Sequence, residues 1–405
     1  MIVNQLRFRT ARILRKIANR ISAKETVKGV SYPDIGAEKL PKNRPRALVI
    51  FSIPGVQRYM EGRFDEHDPF FNKHTIYWET VEIVRQLNRH GYIVDYADSR
   101  ATFAGDWNRY KVVIDGSDNL RYAPSVPGQI RVHYTTYIHW LVWNRAELER
   151  IIWFKERTGI LVPMNRQLPT ILSDEYADYL TYYGTETQAN SFSPKPIKQQ
   201  LNISSVFIPE YQKKDIAETR NNFLWLGGGG LVHKGLDIVM EAFARVPKMH
   251  LYIAGNLKEE PRFWQWASQI LSKHQNIHDL GWMDVGSPKF DAIAQKCIGT
   301  VYASGAEGGP GSVAQILHWG LIPIVTKSAL VRAETFGHII HGITDRELIN
   351  STVELIKTGA GASESSLKSS SEAVTQFARD THTRPAYSES LSSFLDTIAK
   401  KFLNL

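Results

Sequence analysis

From residue 45 onward, short apolar runs alternate with segments whose apolar residues recur every three to four positions. "RALVIFSI" (46–53), "IVDYAD" (93–98), "KVVIDG" (111–116) and "QIRVHYT" (129–135) read as strands. Between the first two, "HTIYWETVEIVRQLNRHGY" (74–92) sets Ile76, Val81, Val84 and Leu87 at helical spacing and stops at Gly91. A second series follows: "NFLWLG" (222–227), "HLYIAG" (250–255), "NIHDLGW" (276–282), "CIGTVYAS" (297–304) and "LIPIV" (321–325). "KGLDIVMEAFARV" predicts a helix with Leu236, Val239, Met240 and Phe243 on one face. Ser287-Pro288 opens another, with serine as N-cap and proline at the first helical position. The Ser-rich stretch 361–374 is a loop or the solvated start of a helix. Leu391, Phe394, Leu395, Ile398 and Phe402 make the last segment amphipathic.

This alternation predicts mostly parallel sheets wound with helices. The join between the two series falls in 185–221, which lacks a period and contains "SFSPKPIKQQ". The expected division is an arm at 1–44, a first Rossmann-like domain at 45–205 and a second at 206–376. A closing helix at 377–405 is expected to pack back on the first domain. A chain of 405 residues has room for two such cores.

Composition changes this picture little. Hydrophobic residues make up 43% and charged residues 22%, which is ordinary for globular chains. No apolar run approaches the ~18 residues of a membrane-spanning helix. Cys297 is the only cysteine, which excludes an intrachain disulfide and a Cys-rich zinc site and suits a reducing compartment.

Charge matters more, because it is localised. Arg7, Arg9, Arg12, Arg15, Lys16, Arg20 and Lys24 stand in the first 24 residues with no acid among them. Removing these seven from 49 basic residues leaves 42 against 41 acids, so the body is nearly neutral. A nucleic-acid binder would spread its excess over the folded surface, so no nucleic-acid partner is expected. Leu6, Ile13, Leu14, Ile17 and Ile21 share one helical face in this arm. Such a basic helix, over residues 5–21, can lie on an anionic membrane surface, pack on the next domain, or serve as an organellar transit peptide.

The candidate chemistry lies in two turns that follow strands of the second series, where α/β sheets bind ligands. In "GGGGLVHKG" (227–235), Gly228, Gly229 and Gly230 allow a close backbone approach, and Lys234 adds a cation suited to phosphate oxygens. The order Lys-Gly and the absence of a following Ser or Thr rule out a P-loop. In "ASGAEGGPGSVAQ" (303–315), Gly309, Gly311 and Ala314 match G-x-G-x-x-A, but Thr326 and Lys327 stand where a dinucleotide site needs an acid. What remains is a helix start near Gly311 that can hold a diphosphate, with Gly308, Ser312 and Val313 around it. Glu307 beside it can accept from sugar hydroxyls or simply complement the helix end. No D-x-D triplet occurs and no G-x-S-x-G elbow, so neither a cation-bound diphosphate nor a serine hydrolase is indicated.

"FLWLGGGGLVHKGLDIVMEAF" and "YASGAEGGPGSVAQILHWGLIPIV" together resemble the donor half of family 4 GT-B glycosyltransferases. The likeness covers 222–327, extends loosely to 377–395, and in the first unit rests on "RHGYIVDYAD". It implies an α/β GT-B fold, two Rossmann-like domains facing across a cleft, here with a basic N-terminal helix. It also implies a retaining, metal-independent transfer of a sugar from a nucleotide diphosphate donor to an acceptor hydroxyl. Such transfers serve cell-surface glycan or glycolipid synthesis at the cytoplasmic face of the membrane. The partners would be the nucleotide sugar, bound as substrate with no cofactor, and a glycan or lipid-linked acceptor.

By position, the resemblance implies that Lys234 contacts the diphosphate, Glu307 the sugar hydroxyls, and His133 the neighbourhood of the donor sugar. It departs in three places: Gly229 replaces an arginine, Gln315 replaces the second Glu of E-x7-E, and Gly55 is the only glycine of the first-domain loop. These departures keep two other readings open, a non-catalytic GT-B sugar- or nucleotide-binding protein and a nucleotide-sugar epimerase. His133 and His139 can each be core histidines instead. Tyr134, Tyr137, Trp140 and Trp143 suit either core packing or acceptor stacking.

Overall fold

The computed structural model describes residues 29–403 apart from 42, 211, 330, 333 and 334. The basic arm at 5–21 lies outside the described residues. The first sheet has seven strands, β1 (Tyr32–Ile35), β2 (Arg46–Phe51), β3 (Ile93–Asp98), β4 (Val112–Asp115), β5 (Ile130–Tyr134), β6 (Tyr179–Tyr182) and β7 (Ile197–Gln200). Their order is β1-β3-β2-β4-β5-β6-β7, with only β1 antiparallel to its neighbour. The second sheet is all parallel: β8 (Asn222–Leu226), β9 (His250–Ala254), β10 (Ile277–Gly281), β11 (Gly299–Tyr302), β12 (Ile322–Thr326) and β13 (His338–Ile340). Its order, β10-β9-β8-β11-β12-β13, is the doubly wound 3-2-1-4-5-6 pattern. The strand order therefore reverses between β8 and β11. Doubly wound sheets bind ligands at such a reversal, and the two glycine-rich turns follow those two strands.

Continuous apolar runs form the central strands because helices cover both faces. β2 buries every residue from Ala47 to Phe51, and β12 buries Ile322 to Thr326. The helix Thr75–Arg89 turns Trp78, Val81, Val84 and Leu87 onto the first sheet. In the helix Pro288–Gln295, Ser287 caps as expected, its hydroxyl oxygen accepting from Phe290 N at 3.2 Å.

Two elements cross between the units. The helix Trp140–Thr158 follows β5, yet its Ile151 and Phe154, with Val162 beyond it, belong to the core of the second unit. Arg157 ties it there by ion pairs to Asp237 and Glu241 at 2.6 and 2.8 Å and to Asp345. In return, the helix Arg384–Leu403 packs Tyr387, Leu391, Phe394, Leu395 and Ile398 against the first sheet's core. The 185–221 stretch is not simply a join, since β7 completes the first sheet before the crossover.

His318 links the segment that leaves β7 to the residues just before the closing helix. Its Nε2 donates to the His382 carbonyl oxygen at 2.8 Å and lies 2.9 Å from the Ser205 hydroxyl. Burial depresses His318 to about 4 and His382 to about 3, and His233 in the first glycine-rich turn to about 4. Each is depressed below its unfolded value of about 6.5, so each contributes stability that is complete above that pH and lost as pH falls toward 4. The cost is on the order of 3 kcal/mol per histidine. Urea midpoints are expected to fall steeply between pH 6.5 and 4.5, and less steeply in His318→Gln. A midpoint flat over that range contradicts this account.

Candidate functional site

β8 delivers the first turn and β11 the second, and backbone contacts stitch them together. Gly305 N donates to His233 O at 2.8 Å, and His233 Nε2 donates to Ala306 O at 2.8 Å. Gly235, at φ +68°, N-caps the helix Leu236–Ala244, and a Cβ there would stand 2.1 Å from Ala303 O. Only glycine fits so close an approach in the left-handed region. Trp143 lies against His233, ring centroids 4.7 Å apart, and Arg150 donates to Ala303 O at 2.9 Å. The bridging helix thus braces both turns.

Glu307 is 6% exposed. Its Oε1 accepts from the Tyr302 hydroxyl at 2.9 Å and from Ser304 Oγ at 3.2 Å, and Oε2 has no partner among the described residues. Lys234 is half-buried. Burial lowers its ammonium below the ordinary value; the Glu307 carboxylate opposes this, Arg166 adds to it, and Glu260 opposes it. Lys234 and Glu307 therefore occupy one electrostatic neighbourhood without closing an ion pair.

An arginine and a histidine join them from outside the turns. Arg166 lies in the segment after the bridging helix, its Cγ 2.4 Å from where a Gly230 Cβ would stand. His74, the N-cap of the helix Thr75–Arg89, accepts from Ile76 N through Nδ1 at 3.2 Å. Burial lowers the His74 imidazole, and Lys234 and then Arg166 lower it further. Sequence reasoning missed both residues. His74 opens the quoted helical segment and was readable as a cap, whereas nothing in the sequence near Arg166 marks it.

Glu260 was missed as well. Its Oε1 accepts from the N–H groups of Gly230 and Leu231 at 2.5 and 3.1 Å. Those two amides are therefore already bonded to an internal carboxylate. Gly228 and Gly229 keep free N–H groups among the described residues, and space beyond Gly228 is open within 4 Å of a Cβ.

Other expected residues have different surroundings. His133 is fully buried on β5. Its Nδ1 lies 3.2 Å from Asp115 O and its Nε2 3.3 Å from the Tyr137 hydroxyl. Burial depresses it against the pull of Asp115, Asp174 and Asp118, all in the first unit. Among the described residues the imidazole is thus surrounded by side chains and backbone of the first unit. His139 N-caps the bridging helix, accepting from Leu141 N at 3.4 Å.

Gln315 does not await a ribose: Oε1 accepts from Val206 N and Phe207 N at 2.9 and 3.1 Å, and Nε2 donates to Phe207 O. Gly55 is needed where the helix Pro54–Met60 crosses Thr75–Arg89, since a Cβ would stand 1.9 Å from Tyr77 O. Gly308 and Gly309 bring the second turn against the first unit, at the Tyr137 backbone and Tyr183 respectively. Val313 is in the second unit's core, Ser312 acts on the Tyr302 hydroxyl, and a Cβ on Gly311 would stand 3.8 Å from Thr75 Cγ2. The helix they open, Gly311–Ile316, is six residues long, so the charge at the site comes from side chains more than from the helix.

A space of about 350 Å³ lies between Tyr182, Thr185, Glu186, Thr187 and Gln200 of the first unit and Lys327, Val331 and Arg332 of the second. It shares no residue with the Lys234–Glu307 group. Among the described residues no helix is long and apolar enough to cross a membrane.

No family model and no curated protein matches this sequence. Solved structures do match. The lipopolysaccharide outer core galactosyltransferase WaaB, in its apo form, is 10% identical, with 88% of this chain covering 99% of that one at a TM-score of 0.55. The sucrose-phosphate synthase of Thermosynechococcus elongatus is 10% identical, with 89% covering 99% at 0.54. The pneumococcal O-GlcNAc transferase GtfA is 14% identical at 0.45, and 71% of this chain covers 56% of it, so the chain spans about half its length. At these identities the likeness concerns architecture. With two doubly wound units, a crossover helix exchanged at each end and turns meeting at the strand-order reversal, the chain has the GT-B glycosyltransferase fold.

Proposed function

We propose that this chain is a retaining, metal-independent glycosyltransferase that moves a hexosyl group from a nucleoside diphosphate to an acceptor hydroxyl. One observation carries the reading: Lys234 and Glu307 share one electrostatic neighbourhood at the β8/β11 reversal, an ammonium with no ion-pair partner and a carboxylate with one free oxygen among the described residues. The ammonium and the free amides of Gly228 and Gly229 suit the diphosphate. Glu307 Oε2 suits a hydroxyl of the attached sugar. As the sugar–phosphate bond breaks, negative charge grows on the diphosphate, and a fixed cation in a half-buried site stabilises that charge strongly. The leaving phosphate oxygen then takes the acceptor proton, so no protein nucleophile is needed. The acceptor is a glycan or lipid-linked compound, and the basic arm supports peripheral docking at a cytoplasmic membrane face.

Glu260 on the turn's amides and His133 in the core favour one rival, a non-catalytic sugar- or nucleotide-binding GT-B protein. The test is a thermal-shift panel of ADP, GDP, UDP and CDP, followed by release of sugar from the matching nucleotide sugar. At a hundred times Kd the right nucleotide adds about 2.7 kcal/mol to stability, a shift of several degrees. Protection with sugar release supports the enzyme, protection without it supports the rival, and no protection by any member removes both.

A further inference from the structure

The turn has glycine at 229, where the resembling enzymes place an arginine, and Glu260 has taken two of its amides. A dianionic group bound there would meet only one cation from the turn itself. Yet a guanidinium lies directly across it. Arg166 crosses so near Gly230, at φ +83°, that any Cβ would stand 2.4 Å from Arg166 Cγ and 2.7 Å from Cδ. The bare turn and the incoming arginine are therefore two halves of one arrangement.

Arg166 is held in place at its backbone and left unused at its head. Its N–H donates to Glu147 Oε1 at 2.6 Å, its carbonyl accepts from Trp143 Nε1 at 2.5 Å, and its guanidinium lies 5.2 Å from the Trp143 ring centroid. Its Nε is buried without a hydrogen-bond partner, and among the described residues no carboxylate pairs with it. Its charge nonetheless acts on Lys234, His74, His233 and Tyr302. Packing an unpaired guanidinium beside an unpaired ammonium is unfavourable until an anion arrives between them.

We propose that Arg166, entering from the segment after the bridging helix, is the second cation gripping the donor's diphosphate, opposite Lys234. The assignment rests on the donor reading above and extends it. Arginine's planar fork can bond two phosphate oxygens at once, which the ammonium of Lys234 cannot do. Because Trp143 also lies against His233, the helix that holds the arginine in place positions the Lys234 turn as well.

The test is calorimetric titration of ADP, GDP, UDP, CDP and inorganic pyrophosphate into the full chain and its Arg166→Gln and Arg166→Lys variants. Losing one charge-assisted contact weakens binding about 10- to 100-fold. Arg166→Gln is expected to show that loss for pyrophosphate and for whichever diphosphate binds. Arg166→Lys, keeping charge and stem, is expected to recover part of the affinity, which a merely structural role would not do. It also serves alone should the Gln variant fail to fold. Unchanged affinities in a folded variant overturn this assignment and leave the donor reading standing. A wild-type chain that binds no nucleoside diphosphate overturns both.

Discussion

Glu307→Gln is expected to leave nucleoside-diphosphate binding intact or tighter while lowering sugar transfer about 100-fold. The substitution keeps the shape that accepts from Tyr302 and Ser304 and removes one negative charge. That charge opposes a bound diphosphate and helps to sustain protonation of Lys234, whose ammonium burial already depresses. A neutral amide still bonds to a hydroxyl, but without the charge that strengthens the bond. Lys234→Ala should act in the opposite way, weakening diphosphate binding about 10- to 100-fold together with transfer. Titration of each variant, with transfer measured beside it, separates the two roles. If Glu307→Gln weakens the diphosphate as Lys234→Ala does, the division of labour is wrong.

The largest loss of stability is expected from Gly235→Ala. The residue sits at φ +68°, which costs an L-residue about 1–2 kcal/mol. Its Cβ would also overlap Ala303 O at 2.1 Å, and that oxygen already accepts from Arg150. Backbone must move on both turns to relieve this, for a total of about 3–4 kcal/mol and a melting loss on the order of 10 °C. Gly228→Ala, with open space within 4 Å, is the control and should melt like the parent. Equal melting of all three proteins would mean the turns are not packed as described.

Much of the scaffold was legible locally. The nine strand runs read from the sequence all became strands; eight of them are mostly buried beneath helices, and β10, at a sheet margin, is only partly buried. β1, β6, β7 and β13 were not read. β7, "IKQQ", is largely polar and β13 is three residues long, so each lacks a burial signal of its own. β1, β7 and β13 each lie at the margin of a sheet, whereas β6 is interior and only four residues long.

The histidines divide in the same way. "VHY" in β5 reads identically whether its imidazole meets a ligand or the core, and the surrounding Asp115, Tyr137 and Phe192 come from other segments. Glycine content signalled close approach at 308 and 309, but not that the approaching surfaces would be Tyr137 and Tyr183 of the other unit.

Periodicity and turn composition, on their own, determined that strands alternate with helices in two units and that the glycine-rich turns follow strands. These are properties of neighbours in the chain. The order of the strands belongs to the tertiary structure, and it places β8 beside β11 so that His233 and Ala306, 73 residues apart, are bonded. It likewise brings Arg166 and His74 to Lys234, buries His133 and sets Gln315 against Val206 and Phe207. Spacing along a chain carries no record of which distant segments will meet, since that choice is made by the packing of whole layers.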